Sequence, residues 1–144
     1  MYTAVVLDFE SRTALLKEFE KFQLEQSGFQ TKNAQGHPLT HHVTLNMGKI
    51  DEKLNSKDLI GETVEFKVVS FGCNNQVAAF AVEHQHGKFG FPSVQTSNKS
   101  PHITAAINIA NGGKPFKSNE LFEQNNTNWA KLELTVKGTV QEVQ

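Results

Sequence analysis

The sequence of 144 residues predicts a single α+β domain, spanning residues 1–144, that is rich in strands and has one main helix. Short segments rich in β-branched residues recur along the chain, and several of them alternate apolar with polar side chains as strands do. One stretch instead shows apolar residues at helical spacing. Because no linker or low-complexity segment divides the chain, its length suits one hydrophobic core.

A strand followed by the main helix is predicted in the first part of the chain. Residues 3–7 form a short β-prone run. Ser11 is a suitable helix N-cap, and helical spacing continues to about Gln26, before Ser27-Gly28 ends the helix. The apolar residues of this helix are Leu15, Leu16, Phe19 and Phe22. We expect this stripe to pack against a sheet.

The remaining elements are mostly strands and loops. Strands are predicted at residues 42–47, 64–68, 77–82, 102–109 and 132–136. Asn74-Asn75 is the predicted turn of a hairpin between the second and third of these. Short helical turns are predicted at 51–54 and 58–61. The polar segments 31–40 and 84–101 are predicted to be loops, each leading into a strand that starts with histidine.

The charge balance favours a small ligand. The chain has 14 Lys and Arg against 15 Asp and Glu, a net charge of -1. Proteins that coat long nucleic acids usually need a strong basic excess, so duplex DNA is not an expected partner. A small nucleotide, a cyclic oligonucleotide or an RNA 3′ end remains compatible, because each needs only a few local cations.

Cysteine usage and hydropathy predict a cytoplasmic protein without membrane contact. Cys73 is the only cysteine, so no intrachain disulfide can form, and a structural thiol is expected rather than a nucleophile. No signal-peptide pattern is visible, and no segment approaches the roughly 18 apolar residues of a membrane span. The oligomeric state is not predicted.

Two copies of a short motif are the best indication of function. His42-Val43-Thr44 and His102-Ile103-Thr104 both lie in apolar, β-prone segments that come after polar loops. In a strand, His and Thr of each copy share one face while the middle residue points into the core. Two imidazoles and two hydroxyls could therefore hold one phosphate between them. The alternative is that both histidines are surface or satisfied core residues on unrelated strands.

The motifs resemble those of the two-histidine (2H) phosphoesterase superfamily, whose members carry His-x-Thr/Ser on strands of two pseudo-symmetric lobes. The segment Gly113-Lys114-Pro115-x-x-Ser118-Asn119-x-Leu121 resembles the stretch after the second motif in the cyclic phosphodiesterase domain of fungal tRNA ligases. The resemblance implies two lobes of antiparallel sheet around a central groove. One feature departs from it: many members have a helix before the second motif, where residues 84–100 here predict a loop.

The resemblance implies a metal-independent phosphoric diester hydrolase, without cofactor, that opens a 2′,3′-cyclic phosphate or cleaves another small nucleotide phosphodiester. One histidine, neutral, would take a proton from water, and the other, protonated, would donate to the departing ribose oxygen. Thr44 and Thr104 would bind the non-bridging oxygens. Which of His42 and His102 is base and which is acid stays open.

Other residues are candidates for substrate binding. In the segment Lys88-Phe89-Gly90-Phe91, the aromatic rings could stack on a base and the ammonium could approach a phosphate, or the rings could anchor a loop. Lys114 comes directly after Asn111-Gly112-Gly113, which suits either a phosphate or a plain strand-exit turn. Tyr2 and Trp129 are candidates of the same open kind.

Three further histidines are given structural roles. His41 is expected on the face opposite His42, as an exposed or packing residue. His84 and His86 have a spacing that can bind metal, but a polar loop is preferred because no carboxylate or cysteine cluster accompanies them.

Two other functions stay open. Some phage members of the superfamily destroy the cyclic oligonucleotide messengers of bacterial defence systems (anti-CBASS enzymes), and a compact chain suits such a role. An inactive relative could instead be a binding module for a nucleotide or an RNA end. Binding without turnover would identify that module.

Overall fold

The computed structural model describes residues 1–83, 92–125 and 127–144. These residues contain one α-helix, α1 (Phe9–Glu20), and 3₁₀ helices at Leu24–Ser27, Lys57–Leu59, Ile109–Asn111 and Pro115–Phe122. The strands are β1 (Tyr2–Leu7), β2 (His42–Met47), β3 (Thr63–Cys73), β4 (Val77–Val82), β5 (His102–Ile107) and β6 (Asn128–Val143). The predicted α+β class with one main helix is confirmed.

The six strands form one antiparallel sheet in the order β2-β1-β6-β3-β4-β5. The outermost strands in this order, β2 and β5, carry the two His-x-Thr motifs. They also lie close to each other, so the sheet curves until it is nearly closed. The halves β2-β1-β6 and β3-β4-β5 thus face each other across a groove, which confirms the predicted arrangement of antiparallel lobes.

The long strand β6 joins the two halves. It pairs with β1 on one side, from Tyr2↔Val143 to Leu7↔Gly138, and with β3 on the other side. Gly138 is needed there because the backbone of β1 approaches it closely. A Cβ at this position would lie 2.7 Å from the carbonyl carbon of Val6 and closer still to its oxygen.

The core lies between the sheet and α1. Leu15 and Phe19 of the helix are fully buried, and Phe19 contacts Phe71 of β3 edge-to-face. Phe71 also contacts Phe80 of β4. Burial of these large side chains supplies most of the favourable free energy of folding. The predicted packing of the apolar stripe is confirmed for these two helix residues.

Both ends of the main helix differ from the prediction. Asp8, and not Ser11, is the N-cap: its Oδ1 accepts a 2.7 Å hydrogen bond from the Ser11 backbone N–H. Ser11 Oγ instead accepts from the N–H of Lys137, which ties the helix to β6. The helix ends at Glu20, so Phe22 lies beyond it and stacks on Phe71.

The strand bounds agree best where the flanking turns are marked in the sequence. β2 and β4 have the predicted bounds. The Asn74 turn is confirmed, since its Oδ1 accepts hydrogen bonds from the N–H groups of Gln76 and Val77. β5 ends at Ile107, two residues early, and β6 is far longer than the predicted 132–136.

The structure bears on two further expectations. Residues 92–101, the described part of the predicted loop before β5, contain no helix or strand. In the described parts of the chain, no helix is long and apolar enough to span a membrane.

Candidate active site

The two His-x-Thr motifs face a common groove. His42 and Thr44 of β2 and His102 and Thr104 of β5 all line it, and its volume is about 760 Å³. The middle residues of the motifs, Val43 and Ile103, have 0% of their surface exposed. The strand alternation therefore works as expected, and the two motifs do not lie on unrelated surfaces.

The segment before β5 fastens the two motif strands to each other. Ser97 donates its backbone N–H to the Leu45 carbonyl at 2.7 Å, and Thr96 Oγ1 donates to the Thr44 carbonyl at 3.0 Å. The side chain of Asn55 both donates to and accepts from the Gln95 backbone, each at 2.8 Å. These bonds to β2 fix the chain just before it enters β5.

His102 is held through one ring nitrogen. Its Nδ1 lies 2.9 Å from the Ser100 carbonyl oxygen, and because a carbonyl only accepts, Nδ1 carries the proton. The other nitrogen, Nε2, has no hydrogen-bond partner among the described residues and is available to a ligand. Burial lowers the pKa of His102, while the bond to the Ser100 carbonyl acts in the opposite direction.

His42 is held through a second histidine. Its Nδ1 lies 3.1 Å from Nδ1 of His41, so one ring donates and the other accepts. The Tyr2 ring packs on His42 with 4.7 Å between ring centroids. Burial, followed by the charges of His41 and His102, lowers the pKa of His42 to about 4. His42 is therefore neutral near pH 7.

The expectation that His41 lies on the opposite face is wrong. His41 lines the groove and contacts His42, because it precedes β2 and lies in a tight turn where strand alternation does not apply. Its N–H donates to the Leu39 carbonyl at 2.8 Å, and its carbonyl accepts from the Leu7 N–H at 2.9 Å. Burial, then the charges of Arg12 and His37, lowers the pKa of His41.

Thr104 has a buried partner that was not identified from the sequence. The Oγ atoms of Thr104 and Ser118 lie 2.8 Å apart, and either hydroxyl can donate. Ser118 is 0% exposed and lies in the 3₁₀ helix Pro115–Phe122. It belongs to the segment 113–121, whose resemblance to the tRNA ligase domain was the one available signal for it.

The structure places one of the candidate binding residues in the groove and two others outside it. Tyr2 lines the groove. Lys114 is exposed and Trp129 covers Gly72 on the neighbouring strand, and neither lines the groove. The candidates Lys88, Phe89 and Phe91, together with His84 and His86, lie outside the described residues.

Several groove residues had no signal in the sequence. Phe116 lines the groove with 65% of its surface exposed, which leaves its ring free to contact a ligand. Arg12 reaches the groove from the first turns of α1. Asn33, His37 and Asn98 also line it, as does Asn119, which belongs to the segment that resembles the tRNA ligase domain. Among the described residues that line the groove, none is Asp or Glu.

Metal binding and nucleophilic catalysis by cysteine find little support in the described residues. No group of three or more His, Cys, Asp or Glu side chains within ranges 1–83, 92–125 and 127–144 could hold a metal ion. Cys73 is partly buried, and burial raises the pKa of its thiol, so it is a poor nucleophile.

Comparison with known proteins supports the interpretation of the groove. The family model described as the fungal tRNA ligase phosphodiesterase domain matches residues 15–143. This range includes both His-x-Thr motifs and the segment containing Ser118. No curated protein matches the chain.

Proposed function

Because the chain belongs to the fungal tRNA ligase phosphodiesterase domain family, a family of 2H phosphoesterases, we propose that it hydrolyses a 2′,3′-cyclic phosphate at an RNA 3′ end. Membership in this family indicates a cyclic phosphodiesterase-type activity with an RNA-related substrate. The finer statement, a cyclic phosphate opened by acid–base catalysis between two histidines, is our proposal.

The observation that supports it most is the convergence of four side chains on one groove. His42 and Thr44 come from one edge of the nearly closed sheet, and His102 and Thr104 from the other. A phosphate between them is within reach of two proton-transfer groups and two hydroxyl donors. Hydroxyls at the non-bridging oxygens stabilise the charge that develops in the transition state.

We infer the roles of the two histidines from their surroundings. His42 is neutral near pH 7 because its pKa is lowered to about 4. In the tautomer in which His42 donates its Nδ1–H to His41, the Nε2 of His42 has a lone pair for a proton from water. His102 holds a proton better, because the Ser100 carbonyl accepts from Nδ1 and favours the charged ring. His42 is the general base and His102 the general acid.

The reaction balances with water alone. His42 removes a proton as the water oxygen bonds to phosphorus, and the bond from phosphorus to one ribose oxygen breaks. His102 gives its proton to that oxygen, so the product is a ribose hydroxyl next to a phosphate monoester. Transfer of a proton back through solvent restores both histidines.

The nucleobase has an aromatic contact available at the groove. Phe116 is exposed there, and a flat apolar ring in an open groove favours stacking of a base without hydrogen-bond readout. Stacking of this kind tolerates different bases. We therefore expect modest discrimination among the four nucleoside 2′,3′-cyclic phosphates.

The test is a turnover assay in EDTA with nucleoside 2′,3′-cyclic phosphates, a short RNA ending in a cyclic phosphate, and cyclic oligonucleotides. His42→Ala and His102→Ala should each lower kcat/KM by about 10²- to 10⁴-fold, the usual contribution of acid–base catalysis. Circular dichroism of each variant verifies its fold. A folded His42→Ala variant that keeps a third of wild-type activity contradicts the mechanism.

The substrate panel separates the remaining functions. Turnover limited to cyclic oligonucleotides would replace the RNA-end activity with degradation of messengers. Tight binding of a cyclic phosphate without any turnover would identify a binding module.

A further inference from the structure

We propose that Arg12 forms a second anion-binding subsite, which holds a phosphate of the substrate other than the one cleaved. The inference rests on the proposed function and specifies its substrate class. The ligand is an RNA end in which the nucleoside with the cyclic phosphate also carries a 5′-phosphate, as every internal linkage provides. A nucleoside cyclic phosphate without that group leaves the subsite empty.

Arg12 is a cation without a full set of partners. It is the only arginine in the sequence, and its Nε is buried with no hydrogen-bond partner in the described parts of the chain. Buried donors in proteins are nearly always hydrogen-bonded, so such an exception calls for an explanation. The ion pairs found among the described residues, Lys21–Glu18 and Lys67–Glu133, do not involve Arg12. Because Arg12 also lines the groove, its guanidinium is placed to donate hydrogen bonds to an anion bound there.

The fold places Arg12 beside His41. α1 begins directly after β1, and the Leu7 N–H at the end of β1 donates to the His41 carbonyl. The charge of Arg12 contributes to lowering the pKa of His41, whereas the shifts of His42 and His102 have other causes. Arg12 and His41 thus line the same groove and interact electrostatically.

The chemistry of this end of the groove suits a phosphate. Arginine presents its N–H groups in a planar fork that matches phosphate oxygens. His37 and His41 are neighbouring donors, and no described groove-lining residue has a carboxylate side chain that would repel an anion. A groove of about 760 Å³ also has room for a nucleotide with two phosphate groups.

The discriminating experiment compares two substrates that differ by one phosphate. These are a nucleoside 2′,3′-cyclic phosphate and the same nucleoside with an added 5′-phosphate. Arg12→Gln should lower kcat/KM for the 5′-phosphorylated substrate by about ten- to a hundredfold, the effect of one lost charge-assisted hydrogen bond. It should change kcat/KM for the unphosphorylated substrate by less than about threefold.

Two variants control this comparison. Arg12→Lys keeps the charge and should recover part of the activity with the 5′-phosphorylated substrate. Lys17→Gln removes an exposed cation from the same helix, away from the groove, and should change neither substrate. An equal loss with both substrates in Arg12→Gln overturns the subsite, because Arg12 would then act on the cleaved phosphate.

A binding measurement separates this inference from the proposed function. By calorimetry, wild type should bind adenosine 3′,5′-bisphosphate more tightly than adenosine 3′-monophosphate, and Arg12→Gln should remove the difference. If wild type turns over neither cyclic phosphate, the proposed function fails, yet this preference still tests the subsite. Equal binding of the two ligands by wild type overturns it.

Discussion

At the scale of single residues, the two motif histidines differ although their motifs are alike. His102 donates its Nδ1–H to a carbonyl, which favours the protonated ring, while Nδ1 of His42 contacts His41, and burial together with the charge of His41 lowers the pKa of His42. The difference comes from residues outside the motifs. Sequence alone left the acid and base unassigned because the repeat makes the two histidines look equivalent.

The pH dependence of kcat/KM reflects these surroundings. Catalysis needs His42 neutral and His102 protonated, and the pKa of His42 is lowered to about 4 while that of His102 is lowered from 6.5. Activity should fall below about 4 as His42 gains a proton, and above the pKa of His102 as that ring loses one. A pH profile should therefore show a bell with its maximum on the acidic side of 6.5. A maximum on the alkaline side would contradict the assignment.

Ser118 should act as a positioning residue for Thr104. Ser118→Ala removes the 2.8 Å hydrogen bond and leaves the Thr104 hydroxyl free to rotate, so kcat/KM should fall about two- to tenfold. The measurement is a double-mutant cycle with Thr104→Val. In the Thr104→Val background, Ser118→Ala should have almost no further effect. If the losses in kcat/KM from the two substitutions are fully additive, Ser118 does not act through Thr104 but through the stability of the fold.

At the scale of elements, the bounds of a strand were predicted correctly where a turn residue in the sequence marks its end. Gly48 after β2 and Asn74 before β4 mark turns, and these two strands were predicted with their observed bounds. β6 was underestimated because its ends are polar and are held by pairing with β1 and β3, which no local pattern reveals. The 3₁₀ helix Pro115–Phe122 was also missed, because its apolar residues do not recur at the spacing of an α-helix or a strand.

In the candidate site too, some residues could be found from local sequence patterns and others only from the structure. Both His-x-Thr motifs were found because each is a local pattern with a meaning of its own. Arg12 of α1 and Phe116 of the 3₁₀ helix Pro115–Phe122 line the groove, and Ser118 of the same 3₁₀ helix contacts Thr104. These positions follow only from the folded chain. His41 was misplaced because strand alternation was applied to it although it precedes the strand, which begins at His42.

Gly138 of β6 and Gly72 of β3 give a matched test of how closely β1 approaches β6, the strand that joins the two halves of the sheet. At Gly138, an added Cβ meets the Val6 backbone of β1, which cannot move without breaking the β1–β6 pairing. At Gly72, it meets the Trp129 ring, which is 41% exposed and can turn aside. Gly138→Ala should lower the free energy of unfolding by about 1–3 kcal/mol, and Gly72→Ala by clearly less.

Chemical denaturation of both variants measures this difference. Wild type sets the reference, and an unchanged dependence on denaturant concentration verifies that the same transition is compared. If Gly72→Ala lowers the free energy of unfolding more than Gly138→Ala does, the close approach of β1 to β6 is not what requires glycine at position 138.

At the scale of the whole molecule, one curved sheet creates a site whose charge differs from that of the protein. The chain has a net charge of -1, yet the described groove lining contains Arg12 and several histidines and no carboxylate side chain. The attraction for an anion is therefore local. It suits an RNA end or a nucleotide better than a long duplex, which requires positive charge over an extended surface.

The same charge distribution predicts that turnover survives a chelator. Divalent cations such as Mg²⁺ prefer oxygen ligands, carboxylates above all, and the described groove residues offer no carboxylate side chain. The hydroxyls of Thr44 and Thr104 and the proton on His102 would stabilise the charge that a metal would otherwise neutralise. Rates with EDTA and with added Mg²⁺ should agree within about twofold. Added Zn²⁺ should inhibit, because it binds neutral imidazole and would occupy the nitrogens needed for proton transfer. A large loss in EDTA that a metal restores would require a different mechanism.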